Sequence, residues 1–546
     1  MRYHIVGIAG AGMSAIAHML LDQGHIVSGS DRQDNRLTEA LRGRGAQIHL
    51  GHDAQYVTGA EVVIATSAVQ QDHPELVAAR TQGVDVLKRA DVWRQWSAQR
   101  SIIAVAGTHG KTTTTAMISF MLLQAGIEAG FLIGAEFAQL GVNARWGDSS
   151  APLVIEADEY DYTFLGLSPD IAVITNIEWD HPDIYPTAAD YTAAFAQFAA
   201  QTRRALVVSE QVDTSEISRQ IFACGSSPTQ PHQPAEEHGL LPHIEGLSAH
   251  PHREERPAAD EGEVPDTARE RPFTSLAPGS SVGYFHQSAA TKRATVVRYG
   301  FAPDNTYRVL PQSDEPSRSG KRSVSPGWTI AYGSATEEVQ VVLHLAVPGK
   351  HNVANALAAV CVADVLGIDT GAAARSLGSF QGVARRFEHK GEVDGITVID
   401  DYAHHPTEVR ATLAAARLRY GRRRLVAYVQ PHTFSRTQAL LEQWSDALQE
   451  ADIVFIGAIY ASREAGQEML TQPTNLAADE ALAKVLIEKI AGTCHHVLYA
   501  GRVEDAPLLI QKHVQPGDVV LTMGAGDGFL VGERLLELLR HQQGDS

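Results

Sequence analysis

The chain has 546 residues, of which 44% are hydrophobic and 20% charged, the mix of a folded protein of several domains rather than a fibrous or low-complexity one. Its 64 acidic and 45 basic residues leave a formal charge of −19, which speaks against nucleic acid or an anionic membrane as partner. Three widely spaced cysteines make neither a disulfide framework nor a CxxC site, no apolar run reaches the ~18 residues of a membrane helix, and Met1-Arg2 leads directly into an apolar strand; a soluble cytoplasmic protein is expected.

In chain order, a strand at 3–8 meets a glycine turn, a helix at about 13–23, and strands at 26–29 and 62–65. Strands alternating with helical patterns predict a parallel sheet with crossover helices. A second block opens with the strand 102–106, a glycine turn and a helix to about Gln124; strands at 153–157 and 171–175 and a helix near 187–201 follow. A third α/β block runs from about Val347, with strands expected at 396–400, 424–429, 452–457 and 518–522. The predicted domains are 1–98, 99–346 and 347–546. Into the second intrudes 225–293, with 9 of the chain's 24 prolines and little apolar periodicity; a polar surface insertion without a core is expected there, and 311–327 reads similarly. Its six histidines show no recurring ligand spacing.

Four groups of residues carry chemistry. Gly10-Ala11-Gly12-Met13-Ser-Ala15 sits between a strand and a helix, where glycines let backbone amides approach a diphosphate, and Asp31 ends the next strand. Gly107-Thr108-His109-Gly110-Lys111-Thr112, followed by Thr113, reads as a phosphate loop: amides face phosphate oxygens, Lys111 supplies charge, and Thr112 can ligate Mg²⁺. It departs from a strict Walker A, since Val105 stands where the first Gly belongs. Glu156-Ala-Asp158-Glu159 and Asn176-Ile-Glu-Trp-Asp180-His181 end two further strands, where carboxylates and a His suit a metal bridging nucleotide oxygens. Downstream lie His351-Asn352-Val-Ala-Asn355, Arg385-Arg386-Phe-Glu388 and Asp400-Asp401-Tyr402-Ala-His404-His405-Pro406.

In this order, together with Ser28-Gly-Ser30-Asp31, Pro348-Gly-Lys-His-Asn352, Gln430-Pro-His432 with Arg436, and Gly524-Ala-Gly526, these segments closely resemble the Mur ligase family over almost the whole chain outside the insertion. The resemblance implies an N-terminal Rossmann-like UDP-binding domain, a central P-loop-type ATPase domain and a C-terminal Rossmann-like domain. It implies an ATP-dependent ligase using Mg²⁺, with UDP-N-acetylmuramate and L-alanine as substrates, acting as a monomer or weak homodimer. Carried over by position, Gly10, Ala11, Gly12 and Met13 would hold the UDP diphosphate, with Ser30 and Asp31 near the uracil. Gly107 to Thr113, Asn176, Asn355, Arg386 and Asp401 would bind ATP. Thr112, Glu156 and His181 would ligate Mg²⁺, and Lys111, Glu156, His181 and Arg386 would be catalytic. Tyr402, His405, His432 and Arg436 would hold the amino acid; some members carry Arg directly after that first His of Gln430-Pro-His432, where this chain has Thr433. Several members also place a carbamylated lysine shortly after the Asp-His motif, but no lysine occurs here between Lys111 and Lys292.

Three other readings are open: a family member that joins a tripeptide, an NAD-dependent oxidoreductase suggested by the first 35 residues alone, and an inactive nucleotide-binding scaffold. The oxidoreductase leaves Lys111, Glu156, His181 and Asp401 without a task. Replacing 228–290 by a short Gly/Ser bridge should leave soluble yield and turnover largely unchanged, because so polar a segment cannot be core; a large fall in either would reveal a packed or regulatory element.

Overall fold

A computed structural model describes residues 1–224, 294–311, 327–334, 337–461, 473–494 and 496–544. The expected insertion at 225–293 lies outside the described residues, as does nearly all of the polar stretch 311–327.

The predicted α/β class takes the form of three sheets among the described residues. The N-terminal sheet has five parallel strands in the order Gln47–Leu50, Ile26–Asp31, Arg2–Val6, Val62–Ala65, Asp85–Lys88. The chain leaves Arg2–Val6 toward one edge and returns to its other side at Val62–Ala65. The turn after Arg2–Val6 therefore opens at a topological switch point, where such sheets bind ligands.

The central sheet is built around Ile102–Ala106, whose five residues are all buried. Parallel neighbours Ile171–Ile174 and Leu153–Glu156 flank it. Strands covered by helices on both faces carry continuous apolar runs of this kind. One side continues through Ala205–Ser209 and Thr295–Gly300, which are parallel neighbours in register from Ala205↔Thr295 to Ser209↔Tyr299. The segment 225–293 thus falls inside a single crossover connection. Antiparallel pairs close both edges: Trp328–Ser334 with Glu337–Leu343, and Gly130–Phe137 with Val142–Arg145.

The C-terminal sheet runs Glu388–Val393, Ile396–Asp401, Val519–Met523, Leu425–Val429, Ile453–Gly457, Val497–Gly501, parallel except for its first pair. Its four predicted strands are present to within a residue at either end. The domain break differs from expectation. The helices Lys350–Leu366 and Thr370–Leu377 belong to the core of the central sheet, where Leu357, Val360 and Cys361 share one apolar cluster with Met117, Phe120 and Met121. The apolar run after 347 seals the central domain, and the C-terminal sheet begins only at Glu388. A fragment ending at residue 384 should therefore keep a cooperative melt by circular dichroism, whereas one ending at 346 should lose it, because buried Phe120 and Met121 would be stripped to solvent.

Candidate active site between the three domains

The phosphate loop is built by positions that only glycine fills. Gly107 has φ +133°, and a Cβ there would lie 2.1 Å from Thr175 Oγ1; Gly110 has φ +81° and caps the helix Lys111–Gln124. The next strand end braces the loop. Asn176 accepts from the His109 amide at 2.9 Å and donates to its carbonyl at 3.0 Å, while Thr175 Oγ1 donates to the same carbonyl at 2.6 Å. Asn176 therefore shapes the loop as well as lining the cavity beside it.

Lys111 reaches back across the loop. Its Nζ lies 2.8 Å from Glu159 Oε2 and donates to the Gly107 carbonyl at 2.5 Å. Burial alone would discharge the ammonium, but Glu159 and Asp158 beside it prevail and raise its pKa. Glu159 was quoted in the sequence motif without a role. Its side chain is 1% exposed and also accepts from Tyr191 Oη at 3.2 Å.

Thr112 Oγ1 donates to Glu156 Oε1 at 2.8 Å, and the Gly134 amide donates to Oε2 at 2.6 Å. Burial raises the Glu156 pKa against the pull of Lys111 and Arg386. Adjacent ligands in a Mg²⁺ octahedron with bonds of ~2.1 Å stand about 3.0 Å apart, so these two oxygens fit neighbouring positions on such an ion. His181 was expected to join them. It lies instead beside Glu159 and Asp180, with Nε2 3.8 Å from Glu159 Oε1 and from Asp180 Oδ2. The donors form two adjoining sets, Thr112–Glu156 and His181–Glu159, with Lys111 between them electrostatically.

The C-terminal domain meets these sets from above two cavities. The first, of about 230 Å³, is lined by His109, Gly110, Thr113, Asn355, Arg386 and Asp401 among others. Asp401 is fixed by the amides of Phe387 and Ala403 at 2.8 Å each, and burial lifts its pKa to about 6. Arg386 lies over the Tyr402 ring at 5.1 Å and reaches Thr112 Oγ1 at 3.4 Å. The second cavity, about 280 Å³, is lined by Asp158, His181, Tyr402, His432 and Arg436. Arg436 donates to Asp180 at 2.5 Å, both side chains being buried, and holds the Asp180 carboxyl far below its usual range.

His405 departs from its expected role. It is the N-cap of the helix Pro406–Tyr420, fully buried, its Nδ1 accepting from the Thr407 amide at 3.2 Å and its ring 4.8 Å from that of His109. It belongs to the nucleotide side rather than the amino-acid cavity. His109 is held between Glu178 and Glu408 at 3.1 Å each, linking the phosphate loop to the C-terminal domain. Neither glutamate was singled out. Glu408 is the third helical residue of a capping box, a pattern that explains it locally and hides its reach to His109.

In the N-terminal domain, the helix Ala11–Asp22 starts directly behind Gly10. Asp31 accepts from the Ala9 amide at 2.9 Å and so holds the glycine loop. Met13 is a core residue, leaving only its backbone to face a ligand. Ser30 is fully buried, and its hydroxyl donates to Glu75 at 2.7 Å. Arg89 escaped notice because no motif surrounds it. A Cβ on Gly12 would lie 3.0 Å from its Nη1, and its Nη2 pairs with Asp158 at 3.2 Å. It spans from the glycine loop to the central carboxylates.

Residues 2–101 match the family described as Mur ligase family, catalytic domain, 105–225 the Mur ligase middle domain, and 385–526 the Mur ligase, glutamate ligase domain. The chain belongs to the Mur ligase family. The UDP-N-acetylmuramate–L-alanine ligase of Roseiflexus sp. (strain RS-1) is 47% identical over 99% of this chain and all of its own length. That of Chloroflexus aggregans (strain MD-66 / DSM 9485) is 45% identical over the whole of both chains. Among solved structures, the UDP-N-acetylmuramate-alanine ligase of Thermotoga maritima aligns over all of both chains with TM-score 0.68 and 26% identity. A murein peptide ligase of Psychrobacter arcticus shares the fold at TM-score 0.63 and 22% identity, covering 99% of this chain and 98% of that one. Within this Mur ligase the phosphate loop, both donor sets and both cavities converge where the middle and C-terminal domains face each other.

The His109 contact makes a pH dependence. Burial disfavours its charge, but hydrogen bonds to Glu178 and Glu408 prevail and raise its pKa to about 9, above the ~6.5 of a free imidazole. Its contribution to folding should therefore be complete below pH ~6.5 and be lost as pH rises toward the folded value. The stability of wild type to urea should fall as pH rises over that window, and His109→Gln should flatten that slope.

Proposed function

We propose that this Mur ligase is the ATP-dependent enzyme that joins L-alanine to the lactyl carboxylate of UDP-N-acetylmuramate, through an acyl phosphate, in cytoplasmic peptidoglycan-precursor synthesis. The observation that carries the reading is full-length identity of 45–47% to ligases of that name, and the site has the parts that the chemistry requires. A carboxylate is a poor electrophile, so ATP first converts it to an acyl phosphate, which the amine of L-alanine then attacks with loss of phosphate. Lys111, held charged by Glu159 and Asp158, balances the charge that grows on the phosphoryl oxygens. Thr112 and Glu156 would hold Mg²⁺, and His181 with Glu159 would face a second ion. When bound, Mg²⁺ neutralises phosphoryl oxygens during transfer. Arg386 joins the nucleotide cavity to Thr112 across the domain gap. The glycine loop at Gly10 and Gly12 would seat the UDP diphosphate at a helix start, with Asp31 holding that loop. His432, Arg436 and Tyr402 line the cavity that would take the amino acid.

Coupled ADP release with UDP-N-acetylmuramate should be fast with L-alanine and negligible with L-alanyl-D-glutamyl-diaminopimelate; the reverse order would replace this reading with the tripeptide-joining one. Lys111→Ala should lose several kcal/mol of transition-state stabilisation, about 10³-fold or more in turnover, while binding of UDP-N-acetylmuramate persists in calorimetry. With no lysine between Lys111 and Lys292 to carry a carbamate, the rate should not depend on bicarbonate. Activity restored only by added bicarbonate would sink this account of the metal site.

A further inference from the structure

A second cluster of ligating side chains lies in the N-terminal domain, apart from the donor sets around Lys111. His52 follows the strand Gln47–Leu50, and His73 and Glu75 open the helix Pro74–Thr81. One donor atom from each lies within 4.8 Å of the other two. His52 Nδ1 stands 3.0 Å from Glu75 Oε1, and the His73 ring meets the His52 ring edge-on at 4.5 Å. Hydrogen bonding accounts for His52 and Glu75 but not for His73, whose two ring nitrogens are shielded from solvent and have no hydrogen-bond partner among the described residues. An imidazole in that position has given up its hydration with nothing in return.

Behind the cluster stands an outer layer of the kind that orients metal ligands. His4 Nε2 is 2.8 Å from Glu75 Oε2, and its Nδ1 is 2.9 Å from Ser28 Oγ; Ser30 Oγ donates to the same carboxylate oxygen at 2.7 Å. Two imidazoles and one carboxylate are a donor set for a borderline divalent ion rather than for Mg²⁺ or Ca²⁺, which take oxygen ligands. Tetrahedral Zn²⁺ ligands with bonds of ~2.0–2.2 Å stand about 3.3 Å apart. His52 and Glu75 are already near that separation, so only His73 has to close.

We propose that His52, His73 and Glu75 form a structural site for a Zn²⁺-class ion, with water in the fourth position. The ion ties the loop after Gln47–Leu50 to the loop after Val62–Ala65, on the two sides of the glycine loop. Glu75 connects it to Ser30, whose carbonyl accepts from the amides of Gly7 and Ile8. Its place is therefore to stiffen the frame of the nucleotide loop without touching the reacting groups.

The test uses full-length protein, stripped with a chelator and titrated with ZnCl₂ alone against a chromophoric competitor, beside His73→Ala and His73→Gln. Wild type should bind one equivalent more than either variant. In ring-¹⁵N-histidine-labelled wild type, the His52 and His73 nitrogen signals should shift with that equivalent. Equal stoichiometry and affinity in wild type and both variants would overturn the site. So would His73 signals that stay in place while Zn²⁺ binds, a result that needs no variant to fold.

Discussion

One buried ammonium faces three carboxylates, and much of the active centre follows from that imbalance. Lys111 is paired with Glu159 and lies in the field of Asp158 and Glu156. Removing one partner from a buried ion pair typically costs ~3–5 kcal/mol, because the other charge is left uncompensated. Arg89, arriving from the N-terminal domain, supplies a second cation to Asp158, and Arg386 from the C-terminal domain a third to Glu156, which balances the three carboxylates and leaves no net positive charge to meet a triphosphate. Divalent cations would supply it, since the carboxylates attract them and they screen phosphates. Glu156, whose proton affinity rises on burial, is where that need is sharpest.

The domains meet over this centre through short polar contacts rather than apolar surface. His109 bridges to Glu408, Thr407 donates to Glu178 at 2.8 Å, Arg436 grips Asp180, and Arg386 reaches Thr112. Desolvation offsets most of the Coulombic gain of such pairs. A junction built this way sits near balance, so a nucleotide or amino acid that competes for Arg386 or Arg436 can shift it. The interior of the central domain is different. Helix Lys350–Leu366 buries a continuous apolar run against helix Lys111–Gln124, and nothing in that contact can be exchanged for a ligand. The phosphate loop therefore sits on a packed apolar base, and its junction with the C-terminal domain is polar.

The sequence made the fold class and the buried strands legible because parallel strands covered on both faces leave long apolar runs, as at Ile102–Ala106 and Val519–Met523. Edge strands were not legible. Gln47–Leu50 and Asp85–Lys88 have exposed ends and half-buried centres, with no buried position and no alternation to mark them as strands. The break between the second and third domains was misplaced because helix Lys350–Leu366 is buried nearly all round, a pattern that signals burial without naming the partner. At the site, residues inside glycine-rich or charged motifs stood out, and solitary ones such as Arg89 did not. Ser30 and His405 were assigned outward roles by position in a motif, yet both point into buried networks. A motif records which residues accompany a function; only packing tells which of them face the ligand.

The segment after the Asp-His motif shows how the centre dispenses with a modified lysine. Helix Ala188–Ala200 turns Tyr191 toward the phosphate loop, where its hydroxyl lies 3.0 Å from Thr108 Oγ1 and 3.2 Å from Glu159 Oε1. Burial raises the Tyr191 pKa well above its usual value, so the phenol stays neutral and can donate to the carboxylate. Tyr185 supports the same residue by donating to the Glu159 carbonyl at 2.5 Å, and its ring meets Tyr191 edge-on at 4.9 Å. A neutral donor fixes the orientation of Glu159 without adding charge. The carboxylate that faces His181 and Lys111 is therefore supplied by an ordinary side chain held by two tyrosines. Phe195 and Phe198 continue the same helix face into the core, which leaves no polar space there for a carbamate to occupy.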